Sequence, residues 1–334
     1  MKVVTIGPEG GLENLQIVEQ DEPQPGPGQV LVRWHATSLN YHDYLVGIGA
    51  IPTPHGRVPM SDGAGQVVAL GEGVSRWQEG DRVMSLFFPN WIDGRPTAAK
   101  TKAISGETVD GYLSEFSLVA EDALTRMPDD YSYAGAATLP CAAVTAWRAL
   151  VVEGNIKMGD KVLIEGSGGM SIFALQFAKA AGATIFATSS SAEKAERLRE
   201  MGAVEVVDYK ADERWGKTIF KASQGGVDHV LDVGGGSTMV QSIESAAMGG
   251  HIYAIGILGN GRKGSITFPK LFFKHLRMTG LAVGSRAMQE DMIKAIEQNQ
   301  IRPVLDRSFG LEELAEAFQY QASGAHFGKI VLEY

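Results

Sequence analysis

The rhythm of apolar and polar positions changes near the middle of the chain. Up to residue 140 the apolar residues fall in short β-branched or alternating stretches: KVVTI, LQIVEQ, QVLVRWHATSLN, GAGQVVALGEGV and WQEGDRVMSLF. Period-two alternation of this kind predicts strands. DEPQPGPGQ separates two of them as a rigid, turn-rich loop. Residues 88–110, FPNWIDGRPTAAKTKAISGETVD, have little periodicity. They read as a long surface loop, either a lid or interface arm or a plain insertion.

From about Asp160 the period alternates between strand and helix. KVLIEG, TIFATS, VEVVDY, VDHVLDV and HIYAIG are apolar strand-like runs. Between them lie SIFALQFAKAAG, AEKAERLREMG, DERWGKTIFKAS and STMVQSIESAAM, which have helical spacing. Repeated β-α predicts a parallel sheet covered by helices on both faces. MQEDMIKAIEQNQ adds a helix, and the chain closes on GKIVLEY. The expected fold class is α/β: a β-rich unit plus a doubly wound parallel sheet.

Composition narrows the partners. The 334 residues carry 30 Lys and Arg against 39 Asp and Glu, a net charge of −9. No basic tract offsets phosphate repulsion, so nucleic acid is not an expected partner. The single cysteine, Cys141, rules out an intramolecular disulfide and any site built from several thiolates. The first residues lack the apolar core of a signal peptide, and no apolar run reaches about 18 residues. A soluble, cytoplasmic protein without a membrane span is expected.

KVLIEGSGGMS supplies a strand, then Gly166, Ser167, Gly168 and Gly169, then a helix starting near Met170. This is the context of a dinucleotide fingerprint. Glycines allow a tight turn and let a pyrophosphate approach the backbone, and the helix N-terminus offers unpaired N–H groups. The last glycine of the usual spacing is replaced by Ser171. An NAD site places an acid about 20 residues further on to bond the ribose hydroxyls. Here Thr188, Ser189, Ser190 and Ser191 stand there, with Lys194 shortly after. Hydroxyls plus a lysine suit the 2′-phosphate of NADP(H), while Ser191 is also placed to cap the next helix.

A leading β-rich domain, a late GSGGMS and a closing GKIVL resemble the medium-chain dehydrogenase/reductase superfamily. PGPGQVLVR, LNYHDYLVG, GAGQVVALGEGV, GDRVM, GYLSEFSLV, TLPCAAVTAWRAL, GDKVLIEGSGG, FAKAAGA and FGKIVL carry the likeness over nearly the whole chain. The resemblance implies a GroES-like catalytic domain from residues 1–140 and 285–334 and a Rossmann domain from residues 141–284. It also implies a homodimer, paired through the edge of the Rossmann sheet near GGHIYAIGILGNG and LRMTGLAVG.

Zinc-dependent relatives hold a metal with Cys, His and Cys or Asp. In this sequence Asn40 stands at the first position, and Ser61 with Asp62 at the His-Glu pair; Cys141 alone is kept. The match is therefore to the zinc-free, quinone-oxidoreductase-like branch, with no metal expected. Cys141 reads as a small packing residue or a reactive thiol, and His35, His42 and His55 as surface or core residues. The resemblance puts Asn40 and Thr145 near the nicotinamide and adds Lys329 to the cofactor set. Tyr41 or Tyr44 could donate to a substrate oxygen, and Asp43 could orient a neighbour. In some quinone reductases a Tyr precedes the Pro of the cleft loop, where Ile51 stands here. Without a Lewis acid, hydride delivery to an electron-poor acceptor is the expected chemistry: a quinone, enone or enal. Two rival expectations are an alcohol dehydrogenase with an unusual metal site and an NADPH-binding protein with little turnover.

Overall fold

The computed structural model describes residues 1–259 and 263–334, which form two compact units. One comprises Met1–Val144 and Val283–Tyr334, the other Thr145–Ala282. The divisions expected from the sequence, at 140/141 and 284/285, lie a few residues away. Asn260 and Gly261, in one stretch expected at a dimer edge, lie outside the described residues.

In the first unit β1 (Lys2–Ile6) and β2 (Leu15–Glu19) form an antiparallel pair. The main sheet is built from β3 (Gln29–Ser38), β4 (Ala64–Leu70), β5 (Arg82–Ser85), β6 (Phe116–Ala120), β7 (Leu124–Arg126), β14 (Leu305–Gly310) and β15 (Lys329–Glu333). Their order is β14-β15-β3-β4-β5-β7, with β6 also on β3. The ten-residue β3 is the hub. Its first half pairs with β6 and its end with the closing strand β15, Val331 opposite Ser38. Val30, Val32, Trp34, Val67 and Val83 fill the core on one face of these strands. The antiparallel register has a consequence at the strand ends: residue 329 comes alongside residue 40, and Leu39 N–H donates to the Ile330 carbonyl at 3.0 Å.

The second unit holds β8 (Lys161–Glu165), β9 (Thr184–Thr188), β10 (Ala203–Val207), β11 (Val227–Asp232), β12 (Ala246–Ala254) and β13 (Arg277–Gly280), all parallel. The order β10-β9-β8-β11-β12-β13 reverses direction between β8 and β11. A parallel sheet covered on both faces needs continuous apolar strands. Val162, Leu163 and Ile164 meet that need, each 0% exposed. Helices Gly169–Ala180, Ala192–Met201, Trp215–Ala222 and Met239–Ser245 supply the crossovers.

The division at 144/145 falls inside one long helix, Tyr133–Glu153. Ser132 caps it by accepting the Gly135 N–H at 3.1 Å. It widens to π geometry over Leu139–Ala143 and again over Arg148–Glu153. Pro140 lacks an N–H and cannot join a regular ladder, which accounts for the first widening. Among the described residues this is the one helix long and apolar enough to cross a bilayer. In its 18-residue apolar window 78% is buried inside the protein, so this surface is used in packing.

Candidate cofactor turn and active site

The glycine turn of the second unit is set by backbone conformation. Gly166 has φ +72°, and a Cβ there would meet nothing within 4 Å, so conformation rather than space demands glycine. Its N–H donates to the Thr188 carbonyl at 3.0 Å, tying the turn to the end of β9. Ser167 is buried. Gly168 is the N-cap of helix Gly169–Ala180 and brings no capping side chain. The first-turn amides, from Gly169 and Met170 onward, thus keep donors for an anion. Ser171 is buried, and its Oγ donates to the Glu165 carbonyl at 2.7 Å, bracing the turn from inside. This shape fits a dinucleotide pyrophosphate.

At the end of β9 the three serines do different work. The Ser189 Oγ turns inward to the Ser191 carbonyl at 3.2 Å and is buried. Ser191 Oγ accepts the Lys194 N–H at 3.3 Å and caps helix Ala192–Met201. Ser190 is exposed and Lys194 is half-buried in the first turn of that helix. Of the two serines expected at the cofactor, Ser190 is the one presented outward.

In the first unit a buried polar network gathers around Asn40. Lys329 Nζ donates to Asn40 Oδ1 at 2.7 Å and to the Leu39 carbonyl at 2.6 Å. Because Oδ1 accepts from an ammonium, Nδ2 must face the other way. It donates to Asp62 Oδ2 at 2.8 Å and Ser61 Oγ at 3.2 Å. Ser38 Oγ also donates to Asp62 Oδ2, at 2.7 Å, and Lys329 Nζ stands 3.9 Å from that oxygen. Asp43 accepts from the backbone N–H groups of Asn40 (3.1 Å) and Ser61 (2.9 Å) and from Ser61 Oγ (3.2 Å). Met60, just before, has φ +74°, a sparsely populated conformation for a side-chain-bearing residue.

Burial dominates the electrostatics here. It lifts the Asp62 carboxyl to about 6 despite the pull of Lys329, lowers the Lys329 ammonium and pushes the Cys141 thiol well up. A thiol held protonated by burial is a weak nucleophile and a weak metal ligand. Zinc requires three or four nitrogen, thiolate or carboxylate donors. Here an amide, a hydroxyl and the Asp62 carboxylate stand with one thiol that burial keeps protonated; Lys329 already bonds the amide oxygen, and its ammonium lies 3.9 Å from Asp62 Oδ2. This donor set does not fit zinc. No group of three or more His, Cys, Asp or Glu among the described residues is arranged for a metal.

The remaining expected site residues are placed separately. Tyr41 and Tyr44 lie on helix Tyr41–Gly47, half-buried, their ring centroids 5.9 Å apart. Tyr44 also packs near Phe318 at 6.1 Å. Thr145 is buried in the long helix, in the second unit, whereas Asn40, the tyrosines and Lys329 belong to the first. Lys329 is expected at the cofactor, and its ammonium is committed to Asn40 and the Leu39 carbonyl. Asn40 is expected as a donor near the nicotinamide, and its side-chain N–H groups are used within the protein.

Two features escaped the sequence reading. His42 Nε2 bonds Glu107 Oε2 at 2.7 Å, and its Nδ1 stands 3.5 Å from Asp43. Burial pulls this histidine down, but Asp43 and Glu107 together raise it above 6.5. Glu107 belongs to the stretch expected to be a surface loop. That stretch is anchored: Trp91 and Ser105 are 0% exposed, and Ser105 Oγ donates to the Leu86 carbonyl at 3.1 Å. Its order comes from isolated buried residues and local turns, which have no period to read. The second feature is a buried acid pair, Glu165 and Asp232, beneath the glycine turn.

Comparison with known proteins agrees with this architecture. A family model described as "Alcohol dehydrogenase GroES-like domain" matches residues 26–129, and one described as "Zinc-binding dehydrogenase" matches residues 169–298. A zinc-type alcohol dehydrogenase-like protein of Schizosaccharomyces pombe is 41% identical, over 97% of this chain and 96% of its own. The crystal structure of a putative alcohol dehydrogenase from Sinorhizobium meliloti 1021 superposes with TM-score 0.92 at 36% identity, covering 99% of this chain and 98% of that one. An acryloyl-coenzyme A reductase of Metallosphaera sedula is 28% identical over 99% of both chains. The quinone oxidoreductase of Coxiella burnetii has TM-score 0.82 at 26% identity, covering 100% and 99%. The chain belongs to the medium-chain dehydrogenase/reductase superfamily and is an oxidoreductase of that superfamily.

Proposed function

We propose that this protein is an NADPH-dependent, metal-free reductase of electron-poor acceptors: quinones, enones or enals. The observation that carries the reading is the Lys329–Asn40–Ser61–Asp62 network, where zinc relatives keep their ligands. An ammonium bonded to Asn40 Oδ1 at 2.7 Å repels a divalent cation and occupies the oxygen it would use. Without a metal to polarise a carbonyl, the acceptor itself must be activated by conjugation. Similar proteins named acryloyl-coenzyme A reductase and quinone oxidoreductase support acceptors of this kind.

Bound NADPH supplies the hydride. The Gly166–Met170 turn holds its pyrophosphate through first-turn amides, and Ser190 with Lys194 takes the 2′-phosphate. The hydroxyls of Tyr41 and Tyr44 serve as donors to the substrate oxygen as negative charge develops on it. The Asn40 network fixes the start of the helix that carries both tyrosines. Phe268, Phe272 and Phe273 are 66%, 57% and 70% exposed near the edge strand β13, and a second copy of the chain would cover them. A cytoplasmic location belongs to the same reading.

The test is a panel of NADPH oxidation assays with a p-quinone, an enone, an enal and a simple ketone, and the reverse reaction with primary and secondary alcohols. Turnover of the conjugated acceptors above the others supports the reading. Efficient alcohol oxidation with inert quinones and enones refutes it, and NADPH binding without any turnover leaves only a binding protein.

A further inference from the structure

Glu165 ends β8 and Asp232 ends β11, the two strands on either side of the order reversal. They are 4% and 0% exposed. Between them lies one hydroxyl: Ser242 Oγ is 2.7 Å from Glu165 Oε1 and 2.6 Å from Asp232 Oδ2. A third acceptor, the Thr238 carbonyl, is more distant at 3.3 Å. A serine has one hydroxyl proton and can donate it to one carboxylate only. At the second short contact the serine oxygen must accept, so that carboxyl must carry a proton of its own.

Among the described residues, no lysine, arginine or histidine side chain is bonded to either carboxylate. Glu165 Oε2 accepts the Val233 N–H at 3.3 Å, and Asp232 Oδ1 accepts the Gly235 N–H at 2.8 Å and Thr238 Oγ1 at 2.9 Å. On β8 the Lys161 ammonium goes to the Ser223 carbonyl, and on β11 His229 faces Asp160 while Asp228 takes the Lys161 N–H. On helix Met239–Ser245, Glu244 pairs with Lys270, and Lys274 caps the Ile243, Glu244 and Ala246 carbonyls. Helix Gly169–Ala180 contributes Ser171 at the Glu165 carbonyl, and its Lys179 goes to Met201.

We propose that Glu165 and Asp232 share one proton through Ser242, running Glu165 Oε1–H to Ser242 Oγ and Ser242 O–H to Asp232 Oδ2. This proton positions the Val233–Thr238 turn against the glycine turn and links dinucleotide binding to proton retention. Asp232 accepts three donors and keeps the charge, and Glu165 keeps the proton. Burial, reinforced by Asp232, lifts the Glu165 carboxyl to about 8. Above that, two buried carboxylates repel beneath both turns. The linkage half of the proposal rests on the reading that the glycine turn takes a dinucleotide. A pyrophosphate there adds negative charge, so the bound state holds the proton more tightly than the free state.

Two measurements test it. The first needs no cofactor: infrared spectroscopy of the protein at neutral pH should show a protonated carboxyl C=O stretch that Glu165→Gln removes. In that variant the new amide oxygen can accept the Val233 N–H and the amide nitrogen can donate to Ser242, so the hydrogen-bond pattern survives. Should it fail to fold, Asp232→Asn preserves the pattern from the other side. The second is calorimetry of NADPH binding in two buffers of different ionisation enthalpy, about half a pH unit above 8. Wild type should take up a fraction of a proton per cofactor. Its affinity should fall with rising pH by at most about tenfold per unit, the slope of one linked proton. Glu165→Gln should take up none and bind with flat pH dependence. Absence of the carboxyl band in wild type overturns the shared proton, and equal uptake in wild type and variant overturns the linkage. A protein that shows the band yet binds no dinucleotide overturns the linkage and the cofactor reading, but leaves the shared proton standing.

Discussion

Lys329 Nζ donates to Asn40 Oδ1 at 2.7 Å, joining residues 289 positions apart in the chain. The bond is delivered by the β3/β15 register, and it fixes the amide so that its N–H groups face Ser61 and Asp62. Removing the ammonium leaves Asp62 buried without its cation. Lys329→Met should therefore destabilise the protein by about 3–5 kcal/mol at neutral pH, the usual loss when one partner of a buried pair is removed. Adding Asp62→Asn should recover most of the loss, and denaturant unfolding of the single and double variants measures both.

Asp62 also sets a pH dependence. Its carboxyl is raised from 3.8 to about 6 by burial, so the folded protein binds more protons than the unfolded chain between those values. Stability from this group is fully present below about 4 and falls as pH rises through about 6, at most about 1.4 kcal/mol per pH unit. Asp62→Asn should flatten that part of the profile. An unchanged slope would mean that the carboxyl titrates normally.

Cofactor preference is expected to rest on Lys194. A hydrogen bond to a charged group contributes about 1.5–3 kcal/mol, or roughly 10- to 100-fold in affinity. Lys194→Ala should weaken NADPH binding by that factor, leave NADH binding nearly unchanged and flatten the salt dependence. Ser190→Ala should have a smaller effect, and Ser189→Ala less still, since its hydroxyl is turned to the Ser191 carbonyl. Equal losses for both cofactors would reduce Lys194 to a helix-surface residue.

The homodimer is testable at the phenylalanines of helix Phe268–Phe273. Phe272→Glu should convert a dimer to a monomer in sedimentation velocity without changing the fold by circular dichroism. A wild type that sediments as a monomer removes the proposal.

Much of the architecture could be read from period alone. Continuous apolar runs such as VLI mark strands buried on both faces, and Gly166 in its strand-turn-helix context marks the cofactor turn. Legibility ended where long-range register decides the chemistry. Nothing local in FGKIVL says that Lys329 will face Asn40, because that follows from Val331 pairing with Ser38. Glu107 was hidden for another reason: it sits among turns with no period, and only the fold brings it to His42. Glu165 did leave a signal, an acid closing an otherwise apolar strand just before the glycines, but its partners Asp232 and Ser242 lie 67 and 77 positions away.

Hydride transfer without a metal can be tested on a single preparation. Protein purified without added metal is assayed for bound zinc by elemental analysis, and the same sample is assayed for NADPH-dependent reduction of an enone and a p-quinone before and after chelator treatment. Far less than one zinc per chain and rates unchanged by chelator are expected. One tightly bound zinc per chain, with activity lost on its removal and restored on its return, would contradict metal-free hydride transfer.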